Sequence, residues 1–270
     1  MAIVYAALSL GVLGLIFGVL LGFASKKFEV KVDERIPKLR EYLPGANCGG
    51  CGYAGCDAYA EAVVMDGAKA TLCSVGGADV AEKIGEVLGV SLEVGEKMTA
   101  FVKCNGTCDK AKENFVYEGI TTCLEVAALQ NKGGKACTYG CLGLASCVKV
   151  CEFGAINIID GIAKVDRDKC TNCGACINIC PKGLIESVPV MKKVRVACNS
   201  KDNGKVVRSN CSAGCIGCKI CEKACPKGAI SVNNNLAKVD YSLCVNCKLC
   251  TKKCPTKAIR DITEKVEINN

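Results

Sequence analysis

Cysteine is the residue type in this sequence that could do chemistry. Of 270 residues, 25 are cysteine, and histidine is absent. The cysteines are odd in number and stand mostly in tight C-x-x-C groups, which favours metal ligation in a reducing compartment over disulfide bonds. Histidine-ligated zinc, haem and Rieske centres and histidine-based catalysis are excluded. Sites built only from sulfur hold zinc or iron–sulfur clusters.

The spacing C-x2-C-x2-C-x3-C-P occurs three times and is typical of bacterial ferredoxins with two [4Fe–4S] clusters. In these proteins the fourth cysteine ligates the neighbouring cluster. The three copies are Cys170, Cys173, Cys176, Cys180; Cys215, Cys218, Cys221, Cys225; and Cys244, Cys247, Cys250, Cys254. A motif repeated three times indicates an electron-transfer protein.

The second half of the chain repeats itself. AKVDRDKCTNCGAC at 163–176 matches AKVDYSLCVNCKLC at 237–250, and the same offset matches Cys137 to Cys211. Each repeat is predicted to be one ferredoxin unit of two strand–loop–helix halves, with GAINIIDGIAKVD and GAISVNNNLAKVD as hairpins. One position departs from the repeat, because Leu144 stands where the other copy has Cys218. Cys137 is the predicted substitute ligand.

Exchange of the fourth ligand within each unit then predicts four clusters. Their ligand sets are Cys137, Cys141, Cys147, Cys180; Cys151, Cys170, Cys173, Cys176; Cys215, Cys218, Cys221, Cys254; and Cys225, Cys244, Cys247, Cys250.

A separate module precedes these units. Cys48, Cys51, Cys56 and Cys73 have the spacing C-x2-C-x4-C-x16-C, and several glycines let this loop wrap a bulky cofactor. A helix with Asp57 as N-cap is predicted to return the chain to the fourth ligand. GADVAEKIGEVLGV is predicted as a second helix. A [4Fe–4S] cluster is favoured here over a structural zinc ion.

Five cysteines remain outside these sets. They are Cys104, Cys108, Cys123, Cys198 and Cys211. Four of them could hold a sixth cluster, and the alternative is that some are small buried apolar residues, as free cysteine often is.

The N-terminal residues 1–24 carry no charged side chain, and the run is long enough to cross a membrane. Lys26 and Lys27 follow directly, so the positive-inside rule predicts a single-pass anchor in the plasma membrane with the N-terminus outside and the remainder in the cytoplasm. The alternative is a cleaved signal peptide, but the run is long and lacks a basic n-region.

The formal charge of +8 counts every thiol as neutral, so its distribution says more than its total. Residues 215–257 carry eight lysines against Glu222 and Asp240. A positive surface around a redox centre attracts an acidic partner, and soluble ferredoxin is the predicted one. The alternative is an ordinary solvated lysine surface. Nucleic acid is not expected, because aromatic residues do not alternate with these lysines.

Together these features resemble the B subunit of the Rnf complex in its longer form. The resemblance rests on the N-terminal run, CGGCGYAGC with Cys73, CTYGCLGLASCVKVC at 137–151 and the tandem ferredoxin motifs. It implies an electron-transfer subunit of a ferredoxin:NAD⁺ oxidoreductase that takes electrons from reduced ferredoxin, passes them to membrane subunits and supports outward pumping of Na⁺ or H⁺.

The chain shows no dinucleotide or Walker fingerprint, so a complete site for NAD⁺ reduction is not expected in it. Two alternatives are a ferredoxin subunit of another respiratory complex, such as a hydrogenase or a formate-oxidising assembly, and a zinc-bearing interaction module.

The predicted fold class is α+β, with an N-terminal transmembrane helix, a small Fe–S domain and tandem ferredoxin units. The predicted boundaries are 1–25 for the anchor, 26–95 for the Fe–S domain, 96–136 for a cysteine-bearing connection, 137–189 for the first ferredoxin unit, 190–212 for a cysteine-bearing insert and 213–270 for the second unit. Five [4Fe–4S] clusters are expected, and a sixth could be present.

Overall fold

A computed structural model describes residues 2–27, 33–91 and 95–263 of the chain. Predictions that involve Met1, residues 28–32 and 92–94 and the C-terminal residues 264–270 lie outside the described residues. The described part mixes helices with short strands, in agreement with the predicted α+β class.

The N-terminal helix α1 extends over Ala2–Lys27. Among the helices that the structure describes, none is identified as having the combined length and apolar character of a membrane span.

Three helices form the small N-terminal module. They are α2 (Arg35–Tyr42), α3 (Cys56–Met65) and α4 (Gly77–Leu88). Their core contains Leu39, Tyr59 and Ile84, each at most 1% exposed. The Tyr59 hydroxyl donates to the Lys69 carbonyl and accepts from the Leu72 N–H, which fixes the loop that leads to Cys73.

The predicted helix start at Asp57 is wrong. Gly55 is the N-cap, and Asp57 lies in the first turn of α3. Its carboxylate accepts from Arg40 at 2.7 Å instead of capping the helix.

The two ferredoxin units contain the predicted hairpins. In the first unit β2 (Ile156–Ile159) pairs with β3 (Ile162–Val165), and in the second β6 (Ile230–Asn233) pairs with β7 (Leu236–Val239). Both tight turns have positive φ at each central residue, at Asp160 and Gly161 and at Asn234 and Asn235, as short antiparallel hairpins require. Five short helices complete these regions: α5 (Cys123–Ala128), α6 (Ser146–Lys149), α7 (Ala175–Ile179), α9 (Ile220–Lys223) and α10 (Leu249–Lys253).

Each unit has a second strand pair, and one strand of each pair comes from the cysteine-bearing connection or the cysteine-bearing insert. The strand β1 (Met98–Val102) pairs with β4 (Ile185–Pro189), and β5 (Val194–Val196) pairs with β8 (Ile259–Asp261). The insert also contains α8 (Gly204–Asn210).

These two pairs are structurally equivalent. Just past β1, the Lys103 N–H donates to the Leu184 carbonyl at 2.7 Å, and just past β5 the Ala197 N–H donates to the Ala258 carbonyl at 2.8 Å. Leu184 and Ala258 are matching positions of the repeat, at the offset that relates its two copies. The residues that follow, Cys104 and Cys198, therefore occupy equivalent places in the two units.

Candidate iron–sulfur sites

The cysteines of the N-terminal module line one cavity. This group, set I, consists of Cys48, Cys51, Cys56 and Cys73. The Cys56 N–H donates to the Asn47 side chain at 2.9 Å, and the Gly76 N–H donates to the Cys73 sulfur at 3.4 Å. Burial raises the pKa of the Cys73 thiol, and the other three sulfurs add to this effect. The structure thus brings together the four predicted residues.

In the ferredoxin units, three further predicted groups of four cysteines lie close enough for their thiols to act on one another. Set II is Cys151, Cys170, Cys173 and Cys176; set V is Cys215, Cys218, Cys221 and Cys254; set VI is Cys225, Cys244, Cys247 and Cys250. In each set one thiol has its pKa raised first by burial and then by its three partners. Those thiols are Cys176, to about 12, and Cys221 and Cys250, each to about 11.

The remaining set of the first unit differs from the prediction. Cys141, Cys147 and Cys180 line a cavity with Cys123, and Cys137 does not line it. Burial raises the pKa of Cys147 to about 12, and the sulfurs that add to the rise include Cys141, Cys123 and Cys180. The assignment of Cys137 to this site is therefore corrected, and set III is Cys123, Cys141, Cys147 and Cys180.

The helix α5 places Cys123 in set III. Thr122 is the N-cap of α5, and its side chain accepts from the Glu125 N–H. The Cys123 N–H donates to the Ser146 hydroxyl at 2.9 Å, which ties the start of α5 to the start of α6. The long connection thus returns to the motif, and its cysteine takes the place that Leu144 leaves open.

Cys137 lies instead in a cavity between the two ferredoxin units. That cavity is lined by Cys104, Cys137, Cys198 and Cys211, which form set IV. Burial raises the pKa of Cys137, and the Cys104 and Cys211 sulfurs contribute next among the charged groups. A Cβ built on Gly106 would lie 3.5 Å from the Cys211 sulfur and 3.7 Å from that of Cys104, so Gly106 borders both sulfurs.

Set IV is built from two equivalent pairs. Cys104 and Cys198 follow equivalent strands, and Cys137 and Cys211 stand at matching positions of the repeat. One unit supplies Cys104 and Cys137, and the other supplies Cys198 and Cys211. Neither ferredoxin unit could complete this site alone.

Cys108 is the cysteine that belongs to none of the six sets. Its side chain is exposed, and its N–H donates to the Asp160 carbonyl at 3.0 Å. Six sets of four account for the other 24 of the 25 cysteines.

The donor sets fit iron–sulfur clusters in their local chemistry. Backbone N–H groups donate to cysteine sulfurs at 3.3–3.5 Å in five of the sets. These bonds are Gly76 to Cys73, Ala100 to Cys170, Ala163 to Cys141, Cys141 to Cys104 and Ala229 to Cys225, with further examples at Cys151 and Cys180. Such bonds stabilise thiolates and help to set cluster potentials. Within the described residues, no group of three or more cysteine, aspartate or glutamate side chains is found in an arrangement that could hold a metal ion.

Neighbouring sets make direct contacts. The Cys141 N–H of set III donates to the Cys104 sulfur of set IV at 3.4 Å. The backbone of Cys215 in set V makes a hydrogen bond to Cys198 in set IV. Burial raises the pKa of Cys198 to about 11, and this hydrogen bond opposes the rise. A Cβ on Gly50, in the loop of set I, would lie 2.7 Å from the Cys173 carbonyl oxygen in set II.

Three known families match parts of the chain. Residues 43–75 match an Fe–S cluster family, and residues 169–230 and 214–258 match families described as 4Fe-4S dicluster domains. The first match contains set I, the second runs from the first ferredoxin unit through the insert into the second unit, and the third lies within the second unit.

Three relatives match most of the chain, and each is named as the B subunit of a translocating oxidoreductase complex. The sequence is 48% identical over 233 residues to that of the Na⁺-translocating ferredoxin:NAD⁺ oxidoreductase complex of Acetobacterium woodii, a match that covers 86% of this chain and 70% of the relative. It is 45% identical to that of the proton-translocating ferredoxin:NAD⁺ oxidoreductase complex of Clostridium ljungdahlii, over 86% of this chain and 82% of the relative. It is 46% identical to that of the ion-translocating oxidoreductase complex of Methanosarcina acetivorans, over 84% of this chain and 86% of the relative.

The chain belongs to the family of B subunits of ion-translocating oxidoreductase complexes. In this member of the family, the three matched ranges account for set I and for motifs of the ferredoxin units. None of those ranges includes Cys104, Cys123 or Cys137, so the assembly of sets III and IV rests on the geometry described above.

Proposed function

We propose that the chain is the electron-transfer subunit of an Rnf-type ferredoxin:NAD⁺ oxidoreductase and that its six cysteine sets hold six [4Fe–4S] clusters in one series. The single observation that carries the series is the contact of set IV with both set III and set V. Each cluster, when bound, accepts and releases one electron, and the protein determines order and potential through burial and backbone hydrogen bonds.

The series runs from set VI to set I. Within the second ferredoxin unit, sets V and VI exchange their fourth ligands, Cys254 and Cys225. Set IV connects set V to set III at the boundary between the units. Sets III and II exchange ligands in the same way, through Cys180 and Cys151, and the loop at Gly50 brings set I against set II.

Electrons enter at the second unit. Cys218 of set V and Cys247 of set VI are both exposed. Exposed apolar side chains lie in sequence beside Cys247, including Leu243 (50% exposed) and Val245 (58%). An apolar patch around a redox centre, bordered by the lysines of residues 215–257, is suited to an acidic partner such as ferredoxin.

Charge reversal on this face tests the proposed function. In the Lys252→Glu/Lys253→Glu variant, we expect slower reduction by reduced ferredoxin and a weaker dependence of the rate on salt, because electrostatic steering is lost. Both lysines are exposed at the end of α10. The measurement is the stopped-flow loss of visible absorbance in the purified holo-protein. Lys38→Glu/Lys69→Glu makes the same charge change on the N-terminal module and serves as the matched control. Equal rates in the wild type and in both variants would remove this docking site.

Electrons leave through the N-terminal module. Gly50 has no room for a side chain, because a Cβ would lie 2.7 Å from the Cys173 carbonyl oxygen. Gly50→Ala is expected to push the module away from the first ferredoxin unit and slow the reduction of the cluster in set I, with all iron retained. Rapid freeze-quench spectroscopy would follow that cluster. Gly95→Ala is the control, since a Cβ there meets open space; unchanged kinetics in Gly50→Ala would place the exit elsewhere.

The N-terminal helix anchors the protein in the plasma membrane. Support comes from the uncharged run of residues 1–24, from exposed apolar side chains in α1 such as Leu10 and Leu15 (each 71% exposed), and from Lys26 and Lys27 at its end. The N-terminus then lies outside, and the six sets lie in the cytoplasm, where ferredoxin and the other subunits of the complex can reach them.

A further inference from the structure

Arg195 is a fully buried cation at the boundary between the two ferredoxin units. It lies on β5, and its exposed fraction is 0%. The guanidinium donates to the Val194 carbonyl at 3.1 Å and to the Pro189 carbonyl at 2.5 Å. Its Nε has no hydrogen-bond partner within the described residues.

Arg195 takes part in none of the ion pairs found among the described residues. Burial lowers its pKa. Tyr241 opposes this most strongly, through its charge and a side-chain hydrogen bond, and Glu186 also favours the cation, whereas Arg167 disfavours it. Glu186 is already paired with Lys103 at 3.3 Å. A buried charge without a counter-charge is strongly destabilised, so negative charge is needed nearby.

Two aromatic rings connect Arg195 to two cysteine sets. The guanidinium carbon lies 4.7 Å from the centroid of the Tyr241 ring and 6.0 Å from that of Phe101. Tyr241 packs against the core that contains Cys250 of set VI. Phe101 follows Ala100, whose N–H donates to the Cys170 sulfur of set II at 3.4 Å. The buried cation therefore lies between these two sets.

We infer that Arg195 is a redox-tuning residue that raises the reduction potentials of the clusters held by sets II and VI. The inference rests on the proposed function only in taking both sets to hold clusters. A cubane with four thiolates carries about −2 when oxidised and gains one more negative charge on reduction. A fixed positive charge in a low-dielectric interior stabilises the reduced form more than the oxidised form. The two clusters in turn supply the negative charge that the buried guanidinium lacks.

The test is a potentiometric titration of the full-length holo-protein followed by electron paramagnetic resonance, with dithionite and mediators supplying electrons. In Arg195→Met, which keeps much of the packing but removes the charge, we expect two of the six components to shift to more negative potentials. Arg195→Lys, which keeps the positive charge, should leave these potentials close to their wild-type values. The separate variants Cys173→Ala and Cys247→Ala identify the components of sets II and VI by their loss. Where Arg195→Met does not retain its iron, Arg195→Gln, which is also neutral but keeps a polar side chain, replaces it.

Three results would overturn the inference: potentials unchanged in the neutral variant, equal shifts in Arg195→Met and Arg195→Lys, or a shift in components other than those of sets II and VI. The titration does not involve ferredoxin. Failure of electron transfer from ferredoxin would therefore count against the proposed function and leave this result standing.

Discussion

Cys123→Ala is expected to remove one cubane, about four irons, from the first ferredoxin unit. Cys123 lines the cavity of set III with Cys141, Cys147 and Cys180, and a cubane held by three thiolates around a buried cavity would be unstable. Cys108→Ala should leave the iron content unchanged, because Cys108 is exposed and outside every set. Iron and acid-labile sulfide in anaerobically purified protein are the measurements.

Pairs of substitutions make this prediction sharper. If Cys123 and Cys147 bind the same cluster, the Cys123→Ala/Cys147→Ala variant loses about four irons, the same as either single variant. If they bind different clusters, the double variant loses about eight. A loss of eight irons would contradict set III and would return Cys137 to consideration as its ligand.

Cys137→Ala/Cys211→Ala is expected to interrupt electron flow between the two ferredoxin units. Both residues lie in set IV, so the variant should again lose about four irons and not eight. Reduced ferredoxin should still reduce the clusters of sets V and VI quickly, whereas reduction of the clusters in sets III, II and I should nearly cease. Rapid freeze-quench spectroscopy after mixing with reduced ferredoxin would separate the two groups.

Dithionite provides the control for this variant, because a small reductant can reach both units independently. All five remaining clusters should then become reduced. Wild-type rates at set I in the Cys137→Ala/Cys211→Ala variant would show that electrons bypass set IV, for example through the region of Arg195.

The repeat accounts for most of what the sequence could predict. Its constant offset predicts both hairpins, and the motif spacing predicts the membership of sets II, V and VI, because these ligands are close in sequence or exchanged within one unit. Set I was likewise predicted from local spacing. Its helix start was wrong because Asp57 binds Arg40, a long-range contact that competes with capping.

Sets III and IV could not be derived from motif spacing, because their ligands come from segments far apart in sequence. Cys123 is brought to its set by α5, and that segment has no C-x-x-C pattern. A weaker signal did exist. AFVKC at 100–104 and VRVAC at 194–198 are both short apolar strands that end just before a cysteine. Their separation exceeds the repeat offset, so the insertion between them hides their equivalence from a search at that offset.

The equivalence of Cys104 and Cys198 also explains why the sequence has a cysteine at position 211, just before a complete ferredoxin motif. The four motif cysteines that follow Cys211 need no fifth member, yet Cys211 completes set IV with the matching residue Cys137. A site shared by two repeats is expected where duplication has placed two identical half-sites against each other.

The most direct test of the series of six clusters is the iron and acid-labile sulfide content of the full-length wild-type protein, purified without oxygen. The six-cluster series predicts about twenty-four of each per chain, four per cubane in six sets. About twenty would mean that one of the six sets holds no cluster, and the continuous series of six would then be wrong.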